Sequence, residues 1–322
     1  MAFMRSIIIT GGTMHLGYHT AMAIAQAHPE YLVVVASRTD KENAASKINQ
    51  KLQQKNVKFM ALDLSSLANI RNFAASWVSS DNPPIQSLVL NAGVQYPYEL
   101  IKTVDGLEAM FGINHVGHAL LFHLLSRYLV QGGRIVLTSS GMHDPAQKAG
   151  GADAKYEGAE KLAFPTGGKE SFPGRGRYAN SKLANVLWTY ALHRHLKQQV
   201  PERGITVTAM CPGLMPGTGL GRGLNKIETF MWYYVFPRII PLLRYFFISN
   251  VHTAEESGKA LARLAVGEDV EGVSGKYFEG QKEIKSSKDS YDEKKQEDLW
   301  AWTVSFLSRG DANELARFEQ LK

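Results

Sequence analysis

The 322-residue chain has a single cysteine, Cys211, so no disulfide can form within it, and a reducing compartment is expected. Cys211 precedes Pro212 at the end of an apolar run, the setting of a small buried residue rather than of a nucleophile. Blocks of like charge are missing too. The net charge is +6, but Lys and Arg are scattered. That spread reads as a solvated surface, argues against nucleic-acid binding, and leaves a mild attraction for anionic small molecules or lipid. No uninterrupted apolar run has the length of a membrane span. Glu228–Ile248, ETFMWYYVFPRIIPLLRYFFI, comes nearest, but Pro237, Arg238, Pro241 and Arg244 interrupt it. A secretory signal is not recognisable in RSIIIT, which is short and runs straight into glycines. A cytoplasmic protein is expected, with membrane association through 228–248 left open. There is no internal repeat.

What is present is an apolar content of 44%, enough for a sizeable core. Short apolar runs occupy Ser6–Thr10, Tyr31–Ala36, Val57–Leu62, Ser87–Leu90, Arg134–Thr138 and Ile205–Met210, with a weaker one at Gly275–Phe278. They are rich in Val, Ile and Leu without polar alternation, as parallel strands covered on both faces are. Helical spacing fills Leu16–Ala27, Leu67–Val78, Leu107–Leu129 and Tyr178–Lys197. The alternation predicts an α/β fold: a single-domain Rossmann-type doubly wound parallel sheet flanked by helices. Two stretches break the rhythm. Pro145–Arg177 is glycine-rich and too long for an ordinary connection, which suggests an ordered excursion or a mobile loop near the site. The aromatic Glu228–Ile248 reads as a lid over an apolar substrate, with a membrane-interface segment as the second reading. The expected division is a domain over 1–285, containing a lid or substrate region at about 214–252. A charged-to-helical extension, 286–322, is expected to pack Trp300 and Trp302 onto it.

The first strand leads into TGGTMHLG, Thr10 to Gly17, where a helix opens. In this setting a pyrophosphate sits on free backbone N–H groups at the helix N-terminus, and glycines let it approach. Gly11, Thr13, His15, Leu16 and Gly17 are the candidate contacts. After the second strand comes ASRTD. An acidic residue there would hold the ribose hydroxyls of NAD, whereas Arg38 suits the 2′-phosphate of NADP, or else is a surface arginine closing a strand. Asp63, followed by Leu64, is placed to reach the adenine or to cap the next helix.

YANSK puts Tyr178 and Lys182 four residues apart on one helix face. An ammonium beside a phenol favours the phenolate, which would bring Tyr178 toward use as an acid/base near neutral pH. His115 and His118 are three apart on a helix but have no third ligand near in sequence, so they read as core or surface histidines and no metal is expected. His143 is either a loop histidine or a residue facing substrate.

TGGTMHLG, NAG at Asn91–Gly93, NHVGH from Asn114, TSSGMH from Thr138, YANSK from Tyr178, and CPGLMPGT from Cys211 to Thr218 occur in that order. Over about Arg5–Phe278 the chain therefore resembles the short-chain dehydrogenase/reductase family. FGINHVGHALL, YANSKLANVL, PGLMPGTGL and AEESGKALARL resemble its retinol dehydrogenase and light-dependent protochlorophyllide reductase branch. The resemblance implies NADPH or NADP as cofactor and hydride transfer between its nicotinamide and a carbonyl or alcohol. It makes Tyr178 the proton donor or acceptor. Lys182 lowers the tyrosine pKa and holds the nicotinamide ribose. Ser140 polarises the carbonyl, and Asn114 holds a relay water. Asn91, Ala92 and Gly93 line the adenine side; Pro212, Gly213 and Thr218 frame the nicotinamide. A homo-oligomer is common in the family.

Two positions depart from it. The family's loop reads T-G-x-x-x-G-x-G, and His15 stands where the middle glycine belongs. A side chain there crowds the pyrophosphate or demands a backbone angle costly for a non-glycine residue, by about 1–2 kcal/mol. Protochlorophyllide reductases carry a cysteine after the Pro-Gly pair, where this chain has Leu214, which speaks against that photochemistry. The leading expectation is an NADPH-dependent oxidoreductase acting on a bulky apolar substrate. His15 motivates the alternative of non-redox or cofactor-assisted chemistry on the same fold. A non-catalytic NADPH sensor is the third reading.

Overall fold

The structure, a computed structural model, describes residues 3–149, 153–166, 174–221, 224–246 and 249–321. Its strands are β1 (Arg5–Thr10), β2 (Tyr31–Ser37), β3 (Val57–Ala61), β4 (Ile85–Leu90), β5 (Leu129–Thr138), β6 (Thr206–Cys211), β7 (Lys276–Glu279) and β8 (Lys282–Ile284). They form an eight-stranded sheet in the order β3-β2-β1-β4-β5-β6-β7-β8. All neighbours are parallel except β8, which returns antiparallel along β7. The helices are α1 (His15–Ala27), α2 (Ala44–Leu52), α3 (Leu67–Ser79), α4 (Ala109–Phe111), α5 (Gly117–Leu125), α6 (Ala159–Ala163), α7 (Gly174–Gln199), α8 (Lys226–Phe230), α9 (Ile240–Phe246), α10 (Ala254–Val266), α11 (Glu293–Ser308) and α12 (Ala312–Gln320).

Successive strand residues point to opposite faces, and here both faces are buried. Ile7, Ile9, Val33, Val35, Val89 and Val136 pack with residues of α1, α2 and α10. Ile8, Val34, Leu88 and Ile135 pack with α3, α5 and α7 on the other side. Two apolar faces explain why the strands show no polar alternation. Ile8 lies between Val34 and Leu88 in the sheet. The chain reverses its winding between β1 and β4, and ligands of open α/β sheets bind in the crevice at the carboxyl ends of such strands.

The helical reading of Leu107–Leu129 is corrected in three places. Glu108 is the N-cap, accepting from the Phe111 N–H. Gly112–Val116 is a π-helical turn between α4 and α5. The last turn is 3-10, Ser126–Tyr128, and β5 begins at Leu129, opposite Ile85. The helix expected from Tyr178 begins at Gly174, so Tyr178 lies in its second turn. A Cβ on Gly174 would strike the carbonyls of Tyr96 and Pro97, which is why the helix entry needs glycine.

Within Pro145–Arg177 the described residues are ordered: Ala154, Tyr156 and Leu162 join the core, and the Tyr156 hydroxyl donates to Asp298 of α11 at 2.6 Å. Residues 150–152 and 167–173 lie outside the described residues. From α11 and α12, Leu299, Trp300, Val304, Leu307 and Phe318 join the same core, with Trp302 packed at its edge. Arg71 of α3 fixes this end, donating to both carboxylate oxygens of Glu314 at 2.6 and 2.8 Å and to the Leu307 carbonyl at 2.8 Å. The aromatic stretch folds as α8, a π turn (Met231–Val235), a 3-10 turn (Phe236–Arg238) and α9. Phe247 and Ile248 lie outside the described residues. Among the described residues no helix is long and apolar enough to cross a membrane.

Candidate active site

The crevice between β1 and β4 opens into a cavity of about 370 Å³. Its floor is the glycine loop. Gly11 has φ +65°, and a Cβ on it would stand 3.1 Å from the Ala92 Cα. At Gly17 a Cβ would strike the Gly11 carbonyl oxygen and stand 2.9 Å from Asn91 Nδ2. No side chain caps the first turn of α1, whose N-cap is Met14. His15 has φ +47°, a left-handed conformation held with an imidazole attached. Histidine adopts this region more readily than most residues.

Gly11, Thr13, His15, Leu16, Gly17, Arg38, Asp63, Leu64, Asn91, Ala92, Gly93, Tyr178, Lys182, Pro212 and Thr218 all line the cavity. Gly213 does not. It turns behind Pro212 with φ +79°, and a Cβ there would meet Asn250. Arg38 is exposed at the mouth. Asp63 is not the cap of α3; that cap is Ser66. The Asp63 carboxylate accepts instead from the Ser65 N–H at 2.9 Å and the Ser65 hydroxyl at 2.7 Å.

At the other end α7 presents Tyr178 and Lys182. The Lys182 ammonium lies 5.7 Å from the centre of the Tyr178 ring and donates to the Thr138 carbonyl at 2.9 Å. Ser140 is not among the lining residues; its hydroxyl oxygen accepts from the Met142 N–H at 3.3 Å. Burial pushes the Tyr178 phenol well above its ordinary value, and Cys211 adds to the rise. Ser140 works the other way. The expected lowering of Tyr178 by Lys182 is therefore not what this structure shows: desolvation outweighs it. Burial also brings the Lys182 ammonium down to about 8.

Asn114 sits on the π turn, a device often found at functional sites. Its side chain accepts from the Val94 N–H at 2.8 Å and donates to the Val94 carbonyl at 3.1 Å and to the Ser181 hydroxyl at 3.0 Å. The side chain thus holds the loop after Asn91–Gly93 in place. A Cβ on Gly93 would stand 3.3 Å from Lys182 Nζ and 3.5 Å from Asn114 Oδ1, so glycine keeps this wall open.

Sequence reasoning missed several contributors. Cys211 is buried as expected, but its sulfur accepts from the Gly141 N–H at 3.1 Å and the Gly213 N–H at 3.4 Å. It thereby ties the turn after Ser140 to the turn after Pro212. Burial pushes its thiol up. His143 does not face substrate: it is fully buried behind Ser140. His118 is also buried and reaches Thr10. The one sequence signal for it was the i, i+4 spacing from Asn114. Tyr96, Ile113 and Met215 complete the apolar lining; Met215 falls in the expected substrate region, and Tyr96 had no mark in its own stretch. Among the described residues no group of His, Cys, Asp or Glu could hold a metal ion.

Uncapped helix N-terminus, glycine cradle and lysine–tyrosine pair lie along one crevice, the arrangement of a nucleotide-dependent dehydrogenase. The short chain dehydrogenase family model matches residues 5–152, and an AcuH dehydrogenase domain model matches 224–314. A polyprenol dehydrogenase of Danio rerio is 31% identical over 310 residues, covering 93% of this chain and 86% of the relative. Human retinol dehydrogenase 13 is 33% identical over 302 residues, covering 92% and 82%. The chain belongs to the short-chain dehydrogenase/reductase family, on the side of its retinol and polyprenol dehydrogenases, and is an oxidoreductase of that family. Solved structures agree on the fold. An uncharacterized protein from Mycobacterium paratuberculosis superposes with TM-score 0.68 at 23% identity, covering 95% and 94% of the two chains. A blue fluorescent protein from a metagenomic library, solved with NADPH, gives TM-score 0.59 at 21% identity, covering 87% and 98%.

Proposed function

We propose that this chain is an NADP-dependent oxidoreductase that interconverts an alcohol and a carbonyl on a bulky apolar substrate of the polyprenol or retinol kind. The observation that carries the proposal is the reach of one cavity from the exposed Arg38 to the Tyr178–Lys182 pair. The residues present fit a dinucleotide. Gly11, Thr13, His15, Leu16 and Gly17 would hold the pyrophosphate on the α1 N-terminus, and Arg38 would pair with a 2′-phosphate. Asp63, Leu64, Asn91, Ala92 and Gly93 would border the adenine side, and Lys182, Pro212 and Thr218 the nicotinamide side, with Gly213 turning the chain behind Pro212. A bound nicotinamide supplies or takes the hydride.

The chain's own residues supply the rest. Tyr178, held protonated by burial, is ready to donate its hydroxyl proton to a carbonyl oxygen. Ser140, at the carboxyl end of β5, polarises the same oxygen. Lys182 provides the positive charge that favours the phenolate left behind. Asn114 fixes the wall through Val94, and the family resemblance makes it the residue that would hold a relay water. Ile113, Met215 and Tyr96 make the substrate end apolar. The non-redox alternative is not favoured, because the relatives are dehydrogenases and His15 keeps the loop's left-handed turn. The division into a domain over 1–285 with its lid at 214–252 and an extension at 286–322 belongs to the same proposal. So do a homo-oligomer, which rests on the family alone, and a cytoplasmic location in contact with lipid. Ile227, Phe230, Tyr234 and Tyr245, exposed by 78, 57, 57 and 82%, support the last.

Calorimetric titration with NADPH and NADH, beside Arg38→Ala, tests the cofactor. NADPH binding tighter than NADH, with the difference erased by Arg38→Ala, is expected. Equal binding of both by the parent protein would remove NADP specificity.

A further inference from the structure

Two buried histidines outside the catalytic group each hold a backbone carbonyl of a residue inside it. His118 Nδ1 lies 3.0 Å from the Asn114 carbonyl oxygen. A carbonyl only accepts, so Nδ1 carries the proton. Its Nε2 is 2.8 Å from the Thr10 hydroxyl. That hydroxyl already accepts from the Asn91 and Ala92 N–H groups, both at 2.9 Å. Its own proton is therefore directed at Nε2; the rival acceptor, the Val89 carbonyl, is farther at 3.4 Å. On the other flank, His143 Nδ1 lies 2.7 Å from the Ser140 carbonyl oxygen. Its Nε2 accepts the Ser287 N–H at 3.0 Å, while the Tyr277 hydroxyl stands 3.4 Å from Nδ1. Both rings are thus placed as neutral Nδ1–H tautomers, a choice made by their partners.

We infer that His118 and His143 are the positioning residues of this site. His118 ties the π turn at Asn114 to the entry of the glycine loop and to the Asn91–Ala92 wall. His143 ties the backbone of Ser140 to the chain after β8. Each acts through the δ-nitrogen proton given to a carbonyl, so the orientation of Asn114 and Ser140 depends on residues far away in sequence. The inference rests on the proposed function only for its catalytic consequence; the tautomers follow from the contacts alone.

Long-range proton–nitrogen NMR correlation on the ¹⁵N-labelled full chain, at neutral pH and without ligand, tests it first. Both rings are expected to show a protonated Nδ1 and a bare Nε2. An Nε2–H tautomer for either ring would overturn its assignment. The catalytic half is read from substitutions. Asn keeps a donor at the δ position, and Gln moves the amide to the ε position. In His118→Asn the NADPH dissociation constant is expected to stay within about three-fold, and in His118→Gln to rise about ten-fold, the scale of one buried hydrogen bond. His143→Gln is expected to leave NADPH affinity unchanged and to lower kcat with retinal about ten-fold, and His143→Asn to restore most of it. Asn and Gln variants that lose equally, at equally lowered Tm, would reduce both histidines to packing. If NADPH does not bind at all, the cofactor reading fails while the tautomer test still stands or falls by itself.

Discussion

Acid should unfold this protein early, and for a reason visible in α5 and its neighbours. Burial lowers His115 to about 3, His118 to about 4 and His123 to about 3 from an ordinary 6.5. A base whose folded pKa is depressed is protonated first in the unfolded chain. Its neutral form is compatible with folding at pH 7, and stability is lost as pH falls below 6.5 toward the folded value. At pH 4.5 the unfolded chain holds about one more proton per ring for His115 and His123. Each ring then costs about 2–3 kcal/mol relative to pH 7, and His118 somewhat less. Together they remove about 7 kcal/mol, comparable with the whole stability of an ordinary domain. His123 is the cleanest to test, because neither of its ring nitrogens has a hydrogen-bond partner among the described residues and its ring packs against those of Trp300, Phe318 and Phe122. His123→Leu keeps the volume and removes the proton. Urea unfolding at pH 7.0, 6.0, 5.5 and 5.0 reads the slope of stability on pH. The variant should lose about 1.4 kcal/mol less per pH unit than the parent below pH 6. Parallel pH profiles would refute the assignment of His123 as a buried neutral ring.

Other perturbations follow from the same contacts. Gly17→Ala drives a methyl into the Gly11 carbonyl and against Asn91, so calorimetry should find NADPH binding abolished and the melting temperature several degrees lower. His15→Gly relieves a left-handed residue worth about 1 kcal/mol and loses part of that to backbone entropy; a thermal melt within about 3 °C of the parent, with NADPH binding kept or improved, is expected. Phe230→Ser with Tyr245→Ser should abolish co-sedimentation with anionic phospholipid vesicles while leaving NADPH affinity unchanged. Undiminished co-sedimentation would send the lipid contact elsewhere.

The sheet was legible because its strands are buried on both sides, leaving uninterrupted Val, Ile and Leu in Ile7–Ile9, Val33–Val35 and Leu88–Leu90. The positions around Gly11, Gly17, Tyr178 and Lys182 were legible because close approach and helix spacing constrain those residue types locally. His15 was marked as a backbone problem, and φ +47° is the form it takes. What stayed hidden depends on distant partners. β8 and α2 are short and half exposed. The start of β5 at Leu129 is set by its pairing with Ile85, not by LVQGG itself. The π turn at Gly112–Val116 leaves no mark in composition. Helix spacing showed that Lys182 shares a face with Tyr178, but the pKa of a phenol depends on how thoroughly the folded chain excludes water from it. The hydrogen bonds of His118 and His143 cross 108 and 144 residues, beyond any local pattern.

The central claim is that Tyr178 moves the proton in an NADPH-dependent reduction. It is met most directly by following NADPH consumption and alcohol formation together, with retinal as the carbonyl, for the parent protein and Tyr178→Phe. The account predicts one NADPH consumed per alcohol formed by the parent. In the variant kcat should fall at least about a hundred-fold, the usual scale of a positioned acid, with NADPH affinity unchanged. Turnover that survives Tyr178→Phe, or alcohol formed without NADPH consumption, would contradict it.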